Sequence, residues 1–427
     1  MNHRAIAIRL SVMMFLEYAV RGMWYPYLAN YLEAPRIKNG LGFTSGQTGW
    51  VMGFAPAVGA ITAPFIAGQV ADRYFNAELA LATLHVIAAI LLFATASAMG
   101  FGAFFAFMLM FSIAYMPTQS LTNSVSLTHL TERERRYPRV RLWGTIGWIV
   151  SSSLFTYVVL TAPDDSTNVG RMPNAMRAAA VLAVLYAMYA LLLVPKTPPG
   201  ATAEMLHVGG MKFALRAFEL LRDRSVLVLT LIALPVAAIH TAYYLNIGPF
   251  LKDRVGVPLR FVGPAIALSQ STEVILLFCL GPLLRRFGFL TILTLGAAAQ
   301  AARFVVFAMD PPMSWVLLSL TLHGVAFACF FTTAILYIER VAPPAIRHSA
   351  QMVFGIVLFG LGPALAGPYS QVFDHFTING QKNFVAIWTI QAIVAGASAL
   401  AIVLFFRERA PASPSRRERE SRSPTAR

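Results

Sequence analysis

Charge is what this chain has least of. Only 12% of its 427 residues are Asp, Glu, Lys or Arg, against about a quarter in an ordinary soluble domain. Acids are the scarcer sign, 19 against 34 Lys and Arg, and the formal net charge is +15. Cysteine is almost missing. Cys279 and Cys329 each sit in an apolar stretch, which excludes a disulfide framework or a cysteine-based metal centre. No segment free of long apolar runs is large enough for a separate soluble domain. No stretch brings together a nucleophile and a base, a metal-ligand cluster or a phosphate loop, so the chain does not read as an enzyme and no cofactor is expected.

What fills the chain is hydrocarbon: 57% of residues are hydrophobic and the mean hydropathy is +0.63. Twelve apolar runs, each near the ~20 residues a helix needs to cross a bilayer core, fall at 5–32, 45–71, 77–98, 100–127, 140–162, 174–195, 225–248, 260–284, 288–307, 312–339, 347–374 and 383–407. In lipid every backbone polar group must be paired within the protein, which leaves helix bundles or closed barrels. The runs are continuous rather than alternating, as from Leu79 to Met99, so an all-α membrane protein is expected.

The basic residues lie in short connections beside the apolar runs, where orientation signals lie. Examples are Arg133, Arg135, Arg136 and Arg139, then Arg216, Arg222 and Arg224, then Arg285 and Arg286. They argue for contact with lipid headgroups, not nucleic acid. With twelve spans both chain ends fall on one side, and the basic connections place that side in the cytoplasm, with Asp164 and Asp165 outside. The first apolar run continues past Tyr31 with no small-residue cleavage site, so it reads as a retained span.

The longest internal connection, 196–224, separates two groups of six spans, and its segment Met211 to Leu221 suits an interfacial helix. The expected division is a bundle over 1–195, a cytoplasmic loop over 196–224, a bundle over 225–408 and a disordered basic tail over 409–427. An internal echo supports duplication. Gly68, Asp72, Arg73 and Tyr74 follow the second span, and Gly281, Arg285, Arg286 and Phe287 follow the eighth, about half a chain later.

The Gly-x-x-x-Asp-Arg-Tyr block resembles the loop signature of the major facilitator superfamily. More specifically, Ala114 to Thr118 with Thr122 and Asn123 resembles the nucleoside:proton symporter family. So do Arg141-Leu-Trp143-Gly144-Thr145-Ile-Gly147-Trp148, Ser269 to Glu273, and Pro344 to Gln351. The resemblance spans all twelve runs. It implies two pseudo-symmetric six-helix bundles, a nucleoside as substrate, a proton as coupling ion and a monomer in the cytoplasmic membrane.

Arg141, Thr145 and Trp148 stand at i, i+4 and i+7, one face of a helix. In the resembling family these positions line the substrate cavity. Gln270 and Glu273 share a face of the eighth span, and a carboxylate at that depth is functional by default. A proton that neutralises Glu273 would free the carrier to reorient; otherwise the carboxylate would pair structurally with Arg303. His240 and Tyr243, with Tyr244, lie near positions where the family carries polar amides. His323 and Phe327 occupy the place of an aromatic pair, while Ala328 lacks an acid found in some members. Glu17 and Arg21 at i, i+4 are expected to form an ion pair, with Glu17 a second proton-coupling candidate. Tyr115, Thr118 and Asn123 around Pro117 complete the polar seam. A carrier of sugars or other polar metabolites, and a non-transporting receptor or scaffold, are the competing readings.

Overall fold

The computed structural model describes residues 3–67, 75–130, 133–198, 219–343, 347–378 and 381–409. The first copy of the internal echo, most of the 196–224 connection with its expected interfacial helix, and the tail beyond Arg409 lie outside the described residues.

Twelve helical spans cross the molecule. The first is His3–Gly22 continued by Tyr25–Glu33, with Pro26 in the opening turn of the second piece, where its missing N–H breaks no bond. The second runs through Ser45–Gly49, Trp50–Phe54 and Ala55–Phe65. Then follow Ala77–Ser97, Phe101–His129 and Arg133–Val159. The sixth is Asp165–Arg171 and Pro173–Leu193, starting one helical piece earlier than its apolar run. Asp164 caps that piece, and the Thr167 amide donating to its carboxylate holds the acid below its usual range. The seventh is Arg224–Pro249 extended by Phe250–Arg254. The eighth and ninth share Leu259–Ala308, a helix broken at Gly288, whose φ of 76° is open to glycine and strained for other residues. Met313–Val341 forms the tenth, Arg347–Ile356 through Gly362–Asp374 the eleventh, and Phe384–Phe405 the twelfth. Among the described residues the strand pairing is confined to a two-residue pair, Thr377–Ile378 with Gln381–Lys382.

The spans form two groups of six. In the first group the first span packs on the fifth, the third on the sixth, and the fourth on the second and third. In the second group the seventh packs on the eleventh and twelfth, and the twelfth also on the Leu259–Ala308 helix. Contact between the groups is made by the second span on the eleventh, the first on the seventh and the fifth on the eighth. Large apolar side chains such as Ile90, Phe93, Val158, Leu192 and Leu231 face outward around the bundle. A soluble monomer does not expose a belt of that kind; hydrocarbon covers it.

His3 and Phe405 lie at the same end, where Ser225 Oγ donates to Arg407 O and Arg409 pairs with Asp223. This is the near end of the two groups. At the far end they are bolted together. Glu33 meets Lys382 at 2.7 Å, and Asp374 accepts from the Ser45 and Gly46 amides at 2.7 and 3.0 Å. With the Thr44 hydroxyl accepting from Gln47 N, these bonds satisfy the first three amides of the second span. Gly49 then lets the backbones touch: a Cβ there would sit 2.9 Å from Ala366 O.

Candidate functional site

Between the groups lies a cavity of about 800 Å³. It starts midway along the first span at Tyr25 and runs toward the near end, past Pro64, Asn123 and Gln351. Among the described residues its lining extends from mid-span toward the near end and stops short of the far-end contacts.

The fifth span supplies its first wall. Arg141, Thr145 and Trp148 all line the cavity, as the helical period places them. Arg141 does not extend freely into it, because its guanidinium lies 4.2 Å over the ring of Tyr18. Gly144 makes room for that stack, since a Cβ there would meet the Tyr18 ring at 2.7 Å. Arg139, two residues before Arg141, is exposed. Trp148 packs edge-on against Tyr25, centroids 5.8 Å apart, and its indole N–H finds no partner among the described residues.

The opposite wall comes from the seventh, eighth and tenth spans, with His240, Tyr244, Gln270, Glu273 and Phe327. Tyr25 touches Tyr244 at 5.7 Å, so Trp148, Tyr25 and Tyr244 form an aromatic bridge across the groups. No side chain among the described residues bonds the Glu273 carboxylate. Its electrostatic partner is Arg141 across the cavity, and Arg303 does not reach it. The alternative reading, a structural pair of Glu273 with Arg303, is thus not formed. Arg303 is fully buried, donates to His323 Nδ1 at 2.7 Å and lies 4.0 Å over the Tyr243 ring.

That contact orders a chain of hydrogen bonds. An arginine can only donate, so His323 Nδ1 accepts and Nε2 carries the hydrogen. Nε2 then donates to the Tyr244 hydroxyl at 3.0 Å, which also accepts from Gln270 Nε2 at 3.0 Å. With its oxygen lone pairs engaged, Tyr244 has its own proton left for the cavity.

Two of the expected binding residues stand behind the wall. Tyr243 and His323 are 0% exposed and absent from the lining of this cavity; Tyr244, one position on, faces it in place of Tyr243. His240 reaches the lining and stacks on His323 with centroids 5.0 Å apart. Glu17 also lies outside the cavity. Its expected pair with Arg21 is absent: Thr118 and Thr122 donate to the carboxylate at 2.7 and 3.1 Å and His85 stands at 3.5 Å. Arg21 lines the cavity instead, 4.5 Å over Tyr25. Buried hydroxyls solvate Glu17 more completely than a half-buried guanidinium turned to the cavity one turn away. The polar seam of the fourth span divides accordingly. Tyr115 and Thr118 turn to Glu17, while Asn123 lines the cavity and accepts from Tyr137 at 3.1 Å. Ala328 is fully buried. Among the described residues no group of three His, Cys, Asp or Glu side chains could hold a metal.

A polar, aromatic-lined cavity held between two six-helix groups defines a solute carrier that works by alternating access. The sequence profile of the nucleoside H+ symporter family matches residues 4–411, and the chain belongs to that family. It is 31% identical to the putative nucleoside transporter YegT of Escherichia coli K12, over 94% of this chain and 93% of that one. It is 29% identical to the xanthosine permease of the same organism, over 94% of this chain and 96% of that one. A crystal structure of the nucleoside transporter NupG superposes with a TM-score of 0.83 at 25% identity, over 94% of this chain and all of that one. The architecture is that of the major facilitator superfamily: twelve transmembrane helices in two pseudo-symmetric six-helix bundles. The protein is a multi-pass inner-membrane transporter, not an enzyme.

Proposed function

We propose that this protein takes up nucleosides across the cytoplasmic membrane in symport with protons, with its near end and both termini in the cytoplasm. The carrying observation is that Arg141, Thr145 and Trp148 of one bundle and Gln270, Glu273 and Phe327 of the other border one cavity. About 800 Å³ is within the range of small-molecule sites and suits a base plus a ribose. Trp148 and Phe327 offer flat faces to the base. Gln270, Thr145 and the free proton of Tyr244 suit the sugar hydroxyls and base edges.

In this reading the bundles over 1–195 and 225–408, joined by 196–224, rock about the cavity. Proton binding at Glu273 cancels a charge that must otherwise stay near Arg141 or water. The neutral, loaded carrier then closes its near end without stranding a carboxylate in a dry interior. His240 borders the site from the second bundle. The exposed Arg139, Arg222, Arg285 and Arg286 all lie at the near end, which supports a cytoplasmic placement beside anionic headgroups. The protein acts as a monomer.

Proteoliposomes test the reading. Labelled nucleoside should accumulate when the outside is acidified, and unlabelled nucleosides should compete while sugars should not. Glu273→Gln should retain exchange of labelled for unlabelled nucleoside and lose pH-driven accumulation. Accumulation equal to that of wild type would remove Glu273 from the coupling role, and competition by sugars would move the substrate to another class.

A further inference from the structure

One buried titratable pair takes no part in the cavity. His85 of the third span and Glu17 of the first are both 0% exposed, with His85 Nε2 3.5 Å from Glu17 Oε2. His85 Nδ1 lies 2.9 Å from Leu81 O. A backbone carbonyl can only accept, so Nδ1 carries a hydrogen and a neutral ring leaves Nε2 bare. Nε2 has no hydrogen-bond partner among the described residues, yet it faces the carboxylate. An ionised carboxylate is also purely an acceptor. Two acceptors turned toward each other in a dry interior repel, and a single proton between them removes the conflict. It can be written as imidazole with carboxylic acid or as imidazolium with carboxylate; each holds one proton and no net charge.

The surroundings are built to hold both partners still. Thr118 and Thr122 donate to the two carboxylate oxygens, and the Tyr115 hydroxyl donates to the Glu17 carbonyl. Tyr186 stacks on the His85 ring at 3.8 Å and shares a hydrogen bond with Thr122. The remaining ionisable or charged groups around the pair are Tyr18 and Arg21 on the first span and Arg141 of the fifth, behind Tyr18. Glu78 lies two turns away on the third span and is engaged by the Thr197 amide. Neither arginine contacts the carboxylate.

We infer that Glu17 and His85 together form a second proton-binding site, inside the first bundle and one helix layer behind the cavity wall, that holds one proton between carboxylate and imidazole. Its neighbours on the same helix, Tyr18 and Arg21, line the cavity. Loss of the proton places a net negative charge one turn from Arg21 and behind the Tyr18–Arg141 stack, and draws both guanidinium groups away from the substrate. The proton site stands on the geometry alone; its link to transport rests on the symport reading.

Two measurements separate these. In pH-difference infrared spectra of the purified protein, a titrating carboxyl or imidazolium band should be present in wild type and in Glu273→Gln. It should vanish in Glu17→Gln and move along the pH axis in His85→Gln. Wild-type titration in both of the last two variants overturns the proton site. If Glu17→Gln does not fold, His85→Gln decides: a displaced titration supports the site and an unmoved one overturns it. In proteoliposomes Glu17→Gln should keep nucleoside exchange and accumulate at least fivefold less under an inward proton gradient. Accumulation equal to wild type overturns the link to transport. Failure of the wild type to accumulate any nucleoside would overturn the symport reading and leave the infrared result standing.

Discussion

Tyr244 holds the cavity's polar register. Its oxygen accepts from His323 and Gln270, and the His323 tautomer is set by buried Arg303. Tyr244→Phe strands both donors and removes the proton that faces the cavity. Losses of about 1–3 kcal/mol are usual for such orphaned groups, so nucleoside Kd should rise roughly 5- to 150-fold while the purified protein stays folded. Direct binding of labelled nucleoside checks this. Trp148→Ala should weaken binding by a similar factor, since base stacking contributes ~1–3 kcal/mol, and Trp148→Phe should recover most of it. The stripe at Arg141, Thr145 and Trp148 was legible because helical spacing puts those residues on one face and the family resemblance turns that face to the cavity. Tyr244 was not. Neighbouring helical residues point about 100° apart, and only the packing of the seventh span against the tenth says which of Tyr243 and Tyr244 faces in. The Glu17–Arg21 pairing failed for a related reason: spacing along one helix says nothing of the hydroxyls a neighbouring helix brings.

At the scale of elements, the second and eleventh spans decide which face of the protein is closed. Their contact depends on bare backbone, with Gly49 against Ala366 and Gly53 against Pro363. Gly49→Leu places a branched side chain where 2.9 Å separates a Cβ from a carbonyl oxygen. The expected outcome is a far end forced open without loss of either bundle's internal packing. A cysteine introduced at buried Ser370, between the same helices, should react with a water-soluble maleimide several-fold faster in the Gly49→Leu background. An unchanged rate would show that the two helices part elsewhere. Most helix boundaries were readable from the apolar runs, and the break between the eighth and ninth spans fell beside its basic turn. The closure was not readable, since one sequence must serve two arrangements of the same helices.

For the whole molecule, a few polar contacts hold the far end closed. Lys382 donates to both Glu33 oxygens at 2.7 Å and to Asn246 at 3.3 Å, tying the twelfth span's entry to the first and seventh. Lys382→Ala leaves Glu33 without its cation. Hydrogen bonds to charged groups are worth about 1.5–3 kcal/mol, so the population with its far end open should grow roughly ten- to 150-fold. Distance measurements between spin labels placed at the far ends of the two bundles would record the shift. Twelve spans and their grouping in sixes follow from apolar length and one long connection; the direction in which the cavity opens follows from contacts that no linear pattern encodes.

Asp374 belongs to the second bundle, yet it completes the first turn of a helix in the first. When the far end parts, the Ser45 and Gly46 amides must trade a carboxylate for water, and that turn frays. Deuterium uptake at these two positions should therefore report far-end opening without any label, fastest in variants that dwell there and slowest when a ligand locks the seal.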